Sequence, residues 1–156
     1  MKKIEPIYSW HENIKTAVCT VTDKNDNKFE GFAYCHPDDY DFANEKTGCT
    51  IAHMRAEIKS YQFYRNHELK PALAALRQLY YTMNQSKSFN PDSYEAKMLM
   101  RHINQKLNDI EATNELIEEL RKNIKDFIDQ KEIFYQKIRS KRRVEDKLKQ
   151  LESIEN

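Results

Sequence analysis

From Pro91 to about Leu151 the chain runs for roughly sixty residues with no glycine and no further proline, a stretch that leaves few folds open. Its apolar residues recur at intervals of three and four: Leu99, Ile103, Leu107, Ile110, Ile117, Leu120, Ile124, Phe127, Ile128, Phe134 and Ile138. That spacing predicts one long helix with a narrow apolar stripe. Asn90-Pro91-Asp92-Ser93 marks its start, with Asn90 suited to the N-cap, Pro91 to the first helical position and Asp92 to the positive end of the dipole. At 1.5 Å per residue the helix reaches roughly 90 Å, about three times the width of a compact domain of this size. The expectation is that the chain cannot cover such a stripe alone. The simplest cover for its far half is a second copy of the same helix.

Composition agrees with an elongated helical molecule. Charged residues make up 33% of the 156, which suits many helix exteriors and a modest core. A formal net charge of +1 exerts no global pull on nucleic acid or anionic membranes, so any basic site must be local. The 3 cysteines, Cys19, Cys35 and Cys49, are odd in number and show no CxxC pairing, which predicts a reducing compartment. The opening Met-Lys-Lys-Ile-Glu-Pro lacks the apolar core of an export signal, and no apolar run is long enough to span a membrane. A soluble intracellular protein is expected.

Taken in order, residues 1–13 carry Tyr8 and Trp10 among polar groups and read as a lead-in. From Ile14 to Thr22, Ala17, Cys19 and Val21 alternate with Thr16, Val18, Thr20 and Thr22; Lys28 to Cys35 repeats the pattern after the turn formers Asp23 to Asn27. This is a β-hairpin, and two strands alone need a helix or further strands on one face. Thr47 or Thr50 is placed to cap a second helical pattern from Ile51 to Met83, which Pro71 should kink or divide near Leu69 and Lys70. The predicted fold is α+β: an N-terminal antiparallel β-hairpin or small sheet over 1–48, then two long antiparallel α-helices over 49–156, in a single domain.

Catalytic chemistry is sparse. Gly31 and Gly48 stand alone, so there is no phosphate loop. His36, Asp38, Asp39 and Asp41 follow a strand and read as turn chemistry, not as a metal site. Cys35 and His36 are adjacent on a strand end and point opposite ways, which argues against a nucleophile and base pair. The chain is therefore read as a non-enzyme without metal or cofactor. The 9 Tyr and 7 Phe are more informative, since Phe89, Tyr94 and neighbouring rings surround the helical hairpin, where rings beside Arg or Lys suit a phosphorylated purine. The apolar stripe also lapses at Thr113-Asn114. If two copies cross antiparallel there, Asn104 approaches Arg121 of the partner subunit, with Lys125 one turn further along.

These residues resemble a known family. The Val-Cys-Thr-Val strand, the run Gly31-Phe-Ala-Tyr-Cys-His-Pro-Asp-Asp39, the helix start Gly48-Cys-Thr-Ile-Ala-His-Met-Arg-Ala56 and the two long helices are similar to phage Thoeris anti-defence sponge proteins of the first type, over nearly the whole chain. The resemblance implies a protein that sequesters a cyclic ADP-ribose isomer, glycocyclic ADP-ribose, made by TIR-domain defence enzymes, without cleaving it. It implies a homodimer assembled further into a hexamer of three dimers, working in the host bacterial cytoplasm, with cyclic oligonucleotides as further ligands of some members. The family pocket sets an aromatic residue against adenine, an Asn ten residues later and a basic pair seventeen residues after that Asn; Tyr94, Asn104, Arg121 and Lys125 match this spacing. Tyr replaces the usual Phe, Lys replaces the second Arg, and Phe89 is the alternative ring. Two other readings compete: a nucleic-acid-binding protein using the basic tract Lys137 to Lys149, and a coiled-coil adaptor of phage origin that blocks a host protein.

Overall fold

The computed structural model describes residues 5–152, the side chains of Asp38, Asp39, Leu148, Gln150, Leu151 and Glu152 excepted. Three strands form an antiparallel sheet in the order β1 (Ile7–His11), β2 (Thr16–Thr22), β3 (Lys28–Tyr34). Helices α1 (Glu45–Tyr64), α2 (Lys70–Asn84) and α3 (Tyr94–Glu152) follow. The α+β expectation holds, with two changes in detail. The segment read as a lead-in is a strand, paired from Ile7↔Thr20 to His11↔Thr16. Its pattern is mostly exposed, so no alternation reveals it, and its connection to β2 puts a lysine, Lys15, in the left-handed region at φ 44° instead of a glycine or asparagine. The first helical arm is also divided into two helices, the division expected at Pro71, so three helices stand where the expected architecture had two.

The β2–β3 turn follows its composition. Asp23 Oδ1 accepts from the backbone amides of Asn25 at 2.8 Å and Asn27 at 2.9 Å, and Asp26 adopts φ 62°. Hydrogen bonding, the Asn27 side chain first, holds the Asp23 carboxyl below the usual range.

Helix α1 lies across the sheet on the face predicted from Ala17, Cys19 and Val21. Ala17, Cys19, Ala52 and Ala56 are fully buried, and Ala33 nearly so. These small residues draw helix and sheet together until Gly31 touches α1 backbone: a methyl there would overlap the Ala52 carbonyl oxygen and come within 2.5 Å of the Ala56 nitrogen. Gly48 serves Trp10 in the same way, since a Cβ would sit 3.1 Å from the indole ring. The helix starts earlier than expected because Asn44, not Thr47 or Thr50, is the N-cap; its side chain accepts from the Thr47 amide at 3.1 Å. Two cations of α1 reach the outer edge of β3, Arg55 donating to the Phe32 carbonyl and Lys59 to the Glu30 carbonyl, each at 2.6 Å.

Ahead of Pro71 the helix widens into a π turn over Arg65–Leu69, where the Lys70 amide bonds the Arg65 carbonyl five residues back. Proline lacks the amide needed to continue the ladder, and the wider turn absorbs the defect as the sequence predicts. Helix α3 begins three residues later than expected. Asn90-Pro91-Asp92-Ser93 closes as a turn, with Ser93 N donating to the Asn90 carbonyl at 3.0 Å, and Ser93 Oγ then caps the Ala96 amide at 3.2 Å.

Helix α3 returns antiparallel along α2 and then α1. Leu99 and Ile103 pack on Leu73, with Leu76, Tyr80, Met83 and Ile110 around them, and Ile117 is fully buried further along. The α1–α2 arm measures roughly 60 Å, so it covers about two thirds of a 59-residue helix. The far half of the stripe is covered in part: Ile124, Phe127 and Ile138 are half-buried, while Ile128 and Phe134 stay 40% and 55% exposed. At its distal part Tyr135 stacks on Phe42 at 5.1 Å and donates to the Phe42 carbonyl at 3.3 Å, while the Arg139 and Arg142 guanidinium groups lie 5.8 and 5.2 Å from the same ring. Part of the basic tract is thus occupied with the loop before α1. No helix among the described residues is long and apolar enough to cross a membrane.

The contact at Gly31 yields a sharp expectation. Gly31→Ala should cost about 3 kcal/mol or more, because the obstacle is helix backbone that cannot rotate away; a chemical denaturation midpoint within error of wild type would contradict it.

Candidate functional site

The ligand-binding candidates from the sequence map to the helical hairpin, and those on α3 lie away from its core face. Ala96, Leu99, Ile103, Thr113 and Ile117 point inward, whereas Tyr94, Asn104, Arg121 and Lys125 stand on the solvent side. Tyr94 is 73% exposed. Arg121 Nη1 donates to Glu118 Oε1 at 2.5 Å in an exposed pair one turn apart, the kind of contact a ligand displaces at little cost. Phe89 is half-buried in the α2–α3 loop, its ring edge-on to Tyr80 at 5.7 Å.

Within one chain these residues do not converge. Arg121 and Lys125 are neighbours on one helical turn, but Asn104 is roughly 25 Å from Arg121 along the axis, and Tyr94 lies further still.

The polar lapse at Thr113-Asn114 has a partner inside the chain. Thr113 is buried and donates from Oγ1 to the Asp109 carbonyl at 2.7 Å, and Asn114 Oδ1 accepts from Arg65 Nη1 at 2.7 Å. The lapse therefore faces the π turn, where the first arm presents a widened helix and a guanidinium.

Around the cysteines and histidines the structure offers no reactive thiol. Burial pushes the Cys35 thiol up, with Lys15 opposing, and burial together with Cys49 and Glu57 pushes Cys19 from 9.0 to about 11. Among the described residues no three His, Cys, Asp or Glu side chains are grouped to hold a metal. Of the set His36, Asp38, Asp39 and Asp41, the Asp38 and Asp39 side chains lie outside the described residues, and Asp41 faces Arg142 at 3.8 Å.

Two constellations escaped the sequence reading. The Tyr8 hydroxyl lies 2.5 Å from His53 Nδ1, and His53 Nε2 lies 3.5 Å from Glu57 Oε1, a polar chain that ties β1 to α1. Burial, then Cys19, Cys49 and Glu57, raises the Tyr8 phenol, so it stays protonated. The other is a cavity of about 180 Å³ where the sheet end, the first turns of α1 and α3 meet. Trp10, Tyr34 and Tyr135 supply rings; Lys15, Arg55 and Lys131 supply cations; Glu132 supplies the one carboxylate of its lining among the described residues. Its parts come from five separate segments, so no spacing announces it.

Comparison with family models, with curated proteins and with solved structures gives no match to this chain.

The thiol environments predict an order of labelling. At neutral pH an alkylating reagent should modify the half-buried Cys35 and Cys49 ahead of Cys19, which is fully buried and reacts only on unfolding. Because Cys19 is raised in the fold, the stability gained by keeping it protonated is present below pH 9.0 and lost as pH rises through about 11. Mass-spectrometric mapping that finds Cys19 labelled first would refute this assignment.

Proposed function

We propose that the protein is a non-catalytic sponge for a cyclic ADP-ribose isomer, the glycocyclic form made by TIR-domain defence enzymes. Two copies align α3 against α3, antiparallel about residue 113, and enclose the ligand between Tyr94 and Asn104 of one chain and Arg121 and Lys125 of the other. Phe89 lines the same end of the helix and is the alternative surface for the adenine. Three such dimers would complete a hexamer in the cytoplasm of the infected bacterium. A closed site between subunits suits sequestration, because shielding the diphosphate from water strengthens every contact to it.

The observation that carries this reading is the separation of Asn104 from Arg121. Both stand on the solvent side of one long helix, too far apart for one small ligand to touch in a single chain. An antiparallel second helix brings the two positions opposite one another. Met100, Leu107 and Leu116, between 38% and 44% exposed, add apolar surface on that helix. Arg121 offers a fork to a diphosphate; Lys125 adds charge without the fork.

The direct test is recovery. Protein incubated with the cyclic ADP-ribose isomer and then heated should release it intact, and release of linear ADP-ribose would point to an enzyme. Arg121→Ala should weaken retention by about 2 kcal/mol or more, at least thirtyfold, while the sedimenting species stays the same. Normal retention by that variant, or a single subunit at micromolar concentration, would overturn the proposal.

A further inference from the structure

The cavity between the sheet end and α3 is independent of the sponge site, and its chemistry is specific enough to name a ligand class. We propose that it is a second binding site, for a small anion carried on a single ring, such as an aromatic carboxylate or a ring-borne phosphate.

Size sets the first limit. A volume of about 180 Å³ lies below the roughly 300–1,000 Å³ of pockets for drug-sized ligands. That suits one ring with one acidic group better than a dinucleotide, which sets the site apart from the one proposed above.

Charge sets the second limit. Lys15, Arg55 and Lys131 face a lining whose one carboxylate among the described residues is Glu132. Two of the charged groups are already engaged: Lys15 pairs with Glu12, and Glu132 Oε1 accepts from Gln136 at 3.2 Å and lies 3.9 Å from Arg139. Arg55 is fixed by the bond from Nη1 to the Phe32 carbonyl, which orients the guanidinium and leaves further N–H groups to donate. Lys131, one turn before Tyr135 on α3, lies over the Phe127 ring at 5.4 Å and can swing to a stronger partner. The excess is cationic, and partial enclosure raises the value of each contact to an anion.

Shape sets the third. Tyr135 is held by Phe42 on one side, and the Trp10 indole is held by its Nε1 bond to Glu12 at 2.5 Å and by close contact with Gly48. Both rings are positioned before a ligand arrives, which lowers the ordering cost of binding.

Trp10 is the 1 tryptophan of the chain, so its fluorescence reports on this cavity alone. Titration of the full-length protein with phenyl phosphate should give a saturable change in that signal and saturation-transfer contacts to the phenyl protons. Benzyl alcohol, of similar size and no charge, should give neither. Lys131→Met should weaken phenyl phosphate by about tenfold, and Lys131→Arg should restore most of it. Arg121→Ala should leave this titration unchanged even where it abolishes retention of the cyclic ADP-ribose isomer, so the two sites fail separately. No saturable response by either method at millimolar phenyl phosphate, equal responses to benzyl alcohol, or an undiminished response in Lys131→Met would overturn the proposal.

Discussion

Everything else in the molecule takes its position from the close seating of α1 on the sheet. Gly31, Ala17, Cys19 and Ala33 below, and Ala52 and Ala56 above, remove the side-chain layer that normally separates a helix from strands. The core is thin, but it is rigid because backbone meets backbone. That contact aims Arg55 at β3, brings Gly48 under Trp10 and sets the direction in which α1 leaves the sheet. The remainder of the chain is an arm built outward from this seat.

The arm works because two irregularities coincide. The π turn at Arg65–Leu69 widens the first arm, and the polar lapse at Thr113-Asn114 interrupts the stripe of the second; Arg65 and Asn114 meet where both occur. Either irregularity alone would leave a mismatch. Together they let α3 run unbroken past a partner that is not, from the α2 cluster around Leu73 to the aromatic clasp at Phe42. The same helix then presents Asn104, Arg121 and Lys125 outward and Lys131 and Tyr135 into the cavity.

Much of this is legible in the amino-acid order, and the failures have physical causes. The alternation in Thr16–Thr22 and Lys28–Tyr34 locates the central and outer strands and the buried face, because burial on one side imposes period two. Pro71 locates the break in the first arm, because a missing amide acts locally. The strand Ile7–His11 is hidden, since an exposed edge strand has no hydrophobic pattern to display and draws its order from pairing with β2. The start of α3 is displaced because Asn90 and Pro91 suit a turn as well as a cap. Tertiary contacts decide such cases. Long-range constellations such as Tyr8 with His53, or Trp10 with Lys131, are invisible for the same reason: their members share no local period.

The bonds from Arg55 and Lys59 to the Phe32 and Glu30 carbonyls have a consequence beyond the fold of one chain. A sheet that ends in an open strand offers alternate carbonyls to any passing extended segment, the route by which small β proteins stick to one another. On β3 two of those acceptors, the Phe32 and Glu30 carbonyls, are occupied by cations held in place by a helix. The middle of β3, one of the sheet's two edge strands, is thereby made a poorer template for an incoming strand, and the helix that packs the sheet also guards part of its margin.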